Sequence, residues 1–370
     1  MKHIIIGAGI LGASTAYHLS KAGEQVVIID RQEPAQATRN AAGIVCPWLT
    51  NRSNKAWYQL VLRGAKYYPQ LIEELERNGE RDTGFDQVGA INIFDTEEKL
   101  DRKMEVALKR KADAPEMGVI RKLSPEKTKS LFPPVSDQYG AVHIGGAARV
   151  NGRAVAQSLL NAAQKNGAEL IGGSARFLYK HEAVHGVIVN EVEYHSDQVI
   201  VTNGAWTNEL FAPLGLNTNV SFEKAQILHL QMDGVDTSQW PVMLPPFNHY
   251  MLTFGKGKIV VGATKEEGDL SDDRVTMGSV HQLMDKALRV APGLADASYI
   301  ETKVGFRPFT PGSLPVIGRV AGLDNVLVAN GLGASGLTSG PYVGREVAKL
   351  ARDQKTEIDL DVYSTESLFS

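Results

Sequence analysis

The order of elements at the N-terminus constrains this chain more than anything after it. A short apolar run, His3 to Ile6, leads directly into Gly7-Ala8-Gly9-Ile10-Leu11-Gly12, and helix-forming residues follow from Ala13 to Lys21. Strand, glycine turn and helix in that order open a dinucleotide-binding βαβ unit. Gly7 permits the tight turn, Gly9 lets the backbone approach a pyrophosphate, and Gly12 allows the helix to pack closely on the strand. The phosphates then sit at the helix N-terminus, where free N–H groups and the macrodipole favour negative charge. A second apolar run, Gln25 to Ile29, ends in Asp30, eighteen residues after Gly12. An acid there accepts hydrogen bonds from both ribose hydroxyls of an adenosine and disfavours a 2′-phosphate. NAD and FAD both satisfy this unit.

A chain of 370 residues has room for two or three domains. With 43% hydrophobic and 22% charged residues, its composition is that of an ordinary globular protein. A net charge of −3 gives no footprint for nucleic acid or an anionic membrane surface. No apolar stretch approaches the ~20 residues of a spanning helix, and the N-terminal run, broken by glycines, Ser14, Thr15 and His18, does not read as a signal peptide. The cytoplasm is the expected compartment. Cys46 is the single cysteine, which excludes an intrachain disulfide and reads as a small buried residue. His181 and His185 have the i, i+4 spacing of a metal pair, but Gly186 and the surrounding pattern predict a hairpin, so no metal site is expected.

The rest of the chain reads as alternating pieces of two bodies. A long helical pattern spans Asn54 to Asn78, a strand Gly89 to Phe94, and a charged helix Glu97 to Ala112; an irregular stretch from Ser124 to Gln138 follows. A nucleotide-type pattern resumes with a strand at Gly140 to Ile144. Asn151 then caps a helix over Arg153 to Asn166, and a strand, a hairpin and the run Gln198 to Trp206 follow. Alternation from Val220 to Lys303 predicts antiparallel sheet, and a strand at Asn325 to Ala329 precedes a helix from Leu337 to Arg352. The fold class expected is α/β, with a Rossmann-like domain over 1–84, 140–219 and 305–370. An antiparallel substrate domain is expected over 85–139 and 220–304.

Gly331-Leu332-Gly333-Ala334-Ser335-Gly336 repeats the glycine pattern, again between strand and helix. Too few residues follow for a second nucleotide domain, so these glycines bring backbone and a helix N-terminus to a flat ligand held by the first unit. Reduced flavin carries negative charge near N1 and C2=O, which a helix N-terminus stabilises, whereas an oxidised nicotinamide is positive. This favours FAD.

With these motifs in place, the chain resembles the FAD-dependent D-amino-acid oxidase family, in its glycine-oxidase-like branch, over essentially its full length. The resemblance implies non-covalent FAD. Around it are placed Gly7, Ala8, Gly9, Ile10, Leu11 and Gly12, then Asp30 and Arg31, then Thr38, Asn40, Ala41, Ala42, Gly43 and Ile44. Arg176 is expected to give a main-chain contact at the adenine end, with Gly204 and Trp206 further along. Gly331, Leu332, Gly333, Ala334, Ser335, Gly336, Leu337 and Thr338 match the closing flavin loop. Val304 to Pro308 resembles the family's Gly-x-Arg-Pro signature, so Arg307 is expected to bind the substrate carboxylate, and Tyr250 falls at the active-site tyrosine. The chain departs from the pattern at Leu332, where a histidine is usual, at Ala334, where glycine oxidase has an arginine, at Lys265, where it is apolar, and at Gly152, where a proline is usual.

The activity implied is oxidation of the CH–NH bond of a small amino acid or N-alkyl amino acid, by hydride transfer to flavin N5. The expected partners are a small carboxylate substrate and an electron acceptor, oxygen or a quinone; a homo-oligomer is left open, since the sequence does not reveal the oligomeric state. Two other classes fit the same motifs. One is a 2-hydroxy-acid dehydrogenase, for which His249 is the candidate base, and the other is a binding or assembly factor with a structural flavin.

Overall fold

The computed structural model describes residues 1–369. β1 (Lys2–Ile6) leads into α1 (Ile10–Lys21) and β2 (Gln25–Asp30), and α2 (Lys55–Arg77), β3 (Ala90–Phe94) and α3 (Glu97–Lys111) follow. Next come β4 (Ile120–Leu123), β5 (Gly140–Ile144), α4 (Gly152–Lys165), β6 (Glu169–Gly172) and β7 (Gln198–Val201). The second half adds β8 (Ser221–Gln231), β9 (Val242–Leu244), β10 (Tyr250–Thr253), β11 (Lys258–Gly262) and α5 (Met277–Val290). It closes with β12 (Ser298–Phe309), β13 (Val316–Val320), β14 (Leu323–Asn330) and α6 (Gly336–Ala351).

Six strands form a sheet in the order β13-β14-β7-β1-β2-β6, parallel except for β13. Its inner strands are unbroken apolar runs because both faces are covered. Ile5 and Ile28 pack with the helices, while Ile4 and Ile29 face a three-stranded meander (Ala175–Lys180, Ala183–Val189, Val192–His195). All four are essentially inaccessible to water, and each such burial stabilises by about 1.5–3 kcal/mol. A Cβ on Gly12 would fall on the Gly7 carbonyl oxygen, so only glycine lets α1 lie this close to the end of β1.

Eight strands form the second sheet, β12-β8-β11-β10-β9-β3-β5-β4, antiparallel except between β9 and β3. Its longest pairing joins β8 to β12 and sets Glu223 opposite Arg307.

The helices start and stop close to where the sequence indicates. Asn54 and Asn151 cap α2 and α4 by accepting from Trp57 N at 2.9 Å and Ala154 N at 3.1 Å. The observed order differs from the sequence reading in four places. β5, read with the nucleotide pieces, lies in the eight-stranded sheet, and so do Gly305 to Phe309 at the end of β12. A short, fully buried apolar run does not disclose which sheet buries it. The stretch Val220 to Lys303 is not sheet throughout: α5 interrupts it, with Ser279, Leu283, Ala287 and Val290 buried at helical spacing. Within Ser124 to Gln138, Ser124 caps a helix at Pro125–Leu131 whose first residue is proline. No helix among the described residues is long and apolar enough to cross a membrane.

Candidate active site

The glycine turn and the end of β2 are joined by Asp30. Its carboxylate accepts from Ala8 N at 2.6 Å, Gln32 N at 2.6 Å and Gln36 Nε2 at 2.8 Å. Asp30 therefore fixes the turn that it was expected to complement, and it also lines a cavity of about 260 Å³. The same cavity is walled by Gly7, Gly9, Ile10, Leu11, Arg31, Thr38, Arg176, Gly204, Trp206, Leu332, Gly333 and Gly336. The Arg176 side chain points away to Glu191 at 3.0 Å, and Arg31 pairs with Glu33 and Glu209 at 2.6 Å each.

A larger cavity, about 960 Å³, lies on the side of the second sheet. Asn40, Ala41, Ala42, Gly43, Ile44, Ala334, Ser335, Leu337 and Thr338 line it, together with Arg307, Tyr250, Lys265 and His249. Ile10, Ala37, Thr38, Gly333 and Gly336 line both cavities, which therefore share a wall. Three of the expected residues line neither: Ala8 is spent on Asp30, Gly12 on β1, and Gly331 on Thr310, whose side chain fills the place of a Cβ.

The donor set suits a dinucleotide with a flat, electron-accepting end. α1 and α6 both begin without a side-chain hydrogen bond from the N-cap residue and without an acid in the first turn; the first N–H of α1, Ile10 N, donates to Thr38 Oγ1 at 2.9 Å, and α6 continues from a 3-10 turn at Gly333–Ser335. A Cβ on Gly9 would meet Thr38 Oγ1 tightly, at 3.2 Å, and no other atom within 4 Å. Ile10 and Gly336, the first residues of α1 and α6, both lie on the shared wall, so two helix N-termini reach it.

At the far end, Arg307 Nη1 donates to Glu223 Oε1 at 2.8 Å, and Lys265 Nζ lies 3.8 Å from Glu223 Oε2. Glu223 bridges the two cations. Tyr250 lies opposite Gly262, where a Cβ would come within 2.6 Å of the phenol oxygen, so this glycine makes room for the ring. Burial raises the Tyr250 pKa against the opposing pull of Arg307, which keeps the hydroxyl protonated. His249 is buried, neither ring nitrogen has a partner, and desolvation takes its pKa down to about 4. Cys46, read from the sequence as buried, is instead half-buried on the wall of the larger cavity, where desolvation pushes its thiol up to about 12 and leaves it protonated at neutral pH.

Glu223 is invisible to sequence reasoning, because its link to Arg307 spans 84 residues and depends on strand register. A charged residue followed by alternating partners on a strand would be the sole hint.

A parallel-stranded nucleotide sheet, joined along one wall to an antiparallel sheet bearing an arginine, defines the two-domain flavoprotein class. Residues 2–350 match the FAD dependent oxidoreductase (DAO) family, and the chain belongs to it. It is therefore an FAD-dependent oxidoreductase. It is 56% identical over 362 residues to the uncharacterized oxidoreductase YurR of Bacillus subtilis (strain 168), covering 98% of this chain and 97% of that one. Among solved structures, iminodiacetate oxidase (IdaA) from Chelativorans sp. BNC1 shares 44% identity at a TM-score of 0.94, covering 98% of each chain. Glycine oxidase from Geobacillus kaustophilus shares 25% identity at a TM-score of 0.84, covering 98% of this chain and 97% of that one.

Proposed function

We propose that the protein oxidises a secondary amine flanked by carboxylates, of the iminodiacetate type, to an oxo-acid and a primary amine. The observation that carries this reading is the pairing of Arg307 and Lys265, two cations on one cavity wall sharing the single carboxylate of Glu223. A substrate with one carboxylate needs one such cation, and a dicarboxylate uses both. The likeness to iminodiacetate oxidase supports the same substrate class.

In this reading the cofactor is met by the expected residues other than Ala8, Gly12 and Gly331, with Asp30 at the ribose, the start of α1 at the pyrophosphate and the start of α6 at the flavin. FAD, held non-covalently, supplies the hydride acceptor. Arg307 offers parallel N–H donors to one substrate carboxylate, which fixes its plane as well as its position. Tyr250 donates its hydroxyl hydrogen to the same group, and Lys265 pairs with the second carboxylate. Held at both ends, the substrate presents its Cα–H bond to the cofactor. That bond breaks with its electron pair while the neutral amine lone pair forms the C=N bond. Water then adds to the resulting iminium, which splits. No side chain has to remove a proton. With a pKa of about 4, His249 is a poor base at neutral pH, which weighs against a hydroxy-acid substrate.

Mixing the purified flavoprotein anaerobically with iminodiacetate, sarcosine, glycine, D-alanine and lactate tests the reading. Iminodiacetate is expected to bleach the flavin fastest. Bleaching by lactate alone, or by none of them, would contradict it.

A further inference from the structure

The larger cavity has an unusual charge. Arg52, Lys99, Arg102, Lys103, Lys265 and Arg307 line it, and among the described residues no Asp or Glu does. Acids outnumber bases in the chain as a whole, 42 to 39, so the bias belongs to this wall and not to the composition. Arg307, half-buried, and Lys265, more exposed, both face Glu223, as described. The other four have no part in that arrangement.

Three of them come from one face of α3. Lys99, Arg102, Lys103 and Val106 fall at i, i+3, i+4 and i+7, a largely exposed stripe that borders the cavity beside the apolar stripe of Leu100, Met104 and Ala107 that packs on the core. The four carboxylates of α3, Glu97, Glu98, Asp101 and Glu105, all lie off the cavity. Glu97 and Asp101 are drawn to Lys122 of β4, while Lys99 and Arg102 turn part of their charge to Asp95 and Glu98.

Lys103 and Arg52 have no such partner: among the described residues no carboxylate lies within salt-bridge distance of either. The Lys103 ammonium donates to Leu49 O at 3.3 Å and Asn51 Oδ1 at 3.2 Å, both neutral. Arg52 stacks on the Trp57 ring, 4.2 Å from its centroid, and donates to Ser313 O at 3.1 Å. Both are partly buried, and desolvation lowers the pKa of each; for Lys103 the charge of Arg110 adds to this. A half-buried cation without a counter-charge costs stability unless an anion completes it.

We propose that the cavity-facing stripe of α3, with Arg52, forms a cationic antechamber that concentrates anionic substrate ahead of Arg307. It acts through the net charge of the ligand and not through its shape. The idea rests on the reading that carboxylates enter this cavity. A cleft with charge of one sign and low-dielectric walls focuses its field and raises the local concentration of the opposite ion. The energy of an ion in such a field is proportional to its charge, so a dianion gains twice what a monoanion does.

The test is equilibrium binding to the holoenzyme, followed by calorimetry and by the flavin difference spectrum, with malonate and acetate as unreactive probes. Wild type, Lys103→Gln and Lys103→Arg are compared at about 10 mM and about 1 M ionic strength, where the Debye length is roughly 30 Å and 3 Å. Arg102→Gln, on an exposed side chain, serves as a second charge-removing variant. At low salt each Gln variant is expected to weaken malonate binding by a factor near the square of its effect on acetate. At high salt the loss should vanish, and Lys103→Arg should follow wild type throughout. An equal loss for both anions, a loss that persists at high salt, or no loss at all overturns the antechamber. So does a failure of malonate to bind. These are binding readouts, so an enzyme that leaves iminodiacetate untouched but shows the charge-squared response loses the proposed substrate alone. Turnover of iminodiacetate with a flat salt response removes the antechamber alone.

Discussion

Arg307 and Glu223 stand directly opposite each other on neighbouring antiparallel strands, joined by a 2.8 Å hydrogen bond from Nη1 to Oε1. Both are only partly exposed, so the carboxylate fixes the plane of the guanidinium while leaving other N–H donors for a ligand. The same carboxylate reaches toward Lys265 and holds that ammonium near the cavity. A strand-to-strand register thereby sets the direction from which a substrate carboxylate is met.

Glu223→Gln keeps the shape and removes the charge. Arg307 and Lys265 are then freer to attract anions but less well oriented. The expected outcome is that acetate binds at least as tightly as in wild type while the rate constant of flavin reduction falls about tenfold, which is about 1.4 kcal/mol. Unchanged reduction, measured by anaerobic stopped flow, would deny Glu223 a positioning role.

Asp30 holds the glycine turn through Ala8 N and is expected also to hold the cofactor ribose. Asp30→Ala should weaken FAD binding by about 1.5–3 kcal/mol, as measured by fluorescence during apoenzyme reconstitution. Acid precipitation of the wild type should leave the yellow colour in the supernatant. Flavin that stays in the pellet would show a covalent bond.

His249 gives a pH dependence of stability whose sign is fixed by its environment. Its folded-state pKa of about 4 lies below the ordinary 6.5, so the unfolded chain takes the proton first as pH falls. Its contribution is fully present above about pH 6.5, is lost between there and about pH 4, and changes no further below. The loss amounts to roughly 3 kcal/mol. Thermal melts of His249→Gln should show a shallower fall of Tm across that window than wild type. Parallel curves would mean that His249 titrates normally.

If the neutral amine is the reacting form, reduction at low substrate should quicken as pH rises between about 6 and about 10, where aliphatic amines lose their proton. A flat profile would point to a different donor.

Much of this was legible in the sequence where a local rule applied. The glycine turn, Asp30, and the helix caps Asn54 and Asn151 declare themselves because each satisfies a backbone need within a few residues of itself. Sheet membership was less legible: β5 has four buried residues out of five, as a parallel strand would, and nothing in them tells which sheet will bury them. Glu223 and the α3 stripe were missed for the same reason. Their meaning depends on what stands opposite, and a charged helix reads as a solvated one until a cavity is found beside it.

Arg307 anchors the whole reading of the site, and anaerobic flavin reduction in its variants tests that most directly. Arg307→Ala removes a two-point, charge-assisted contact, and a loss of roughly 3 kcal/mol lowers kcat/KM with iminodiacetate more than a hundredfold. Arg307→Lys keeps the charge without the fork and should fall between wild type and Ala, with FAD retained in both. Release of FAD from Arg307→Ala, or reduction by iminodiacetate at near wild-type rate, would place the carboxylate elsewhere, with Lys265 the next residue to change.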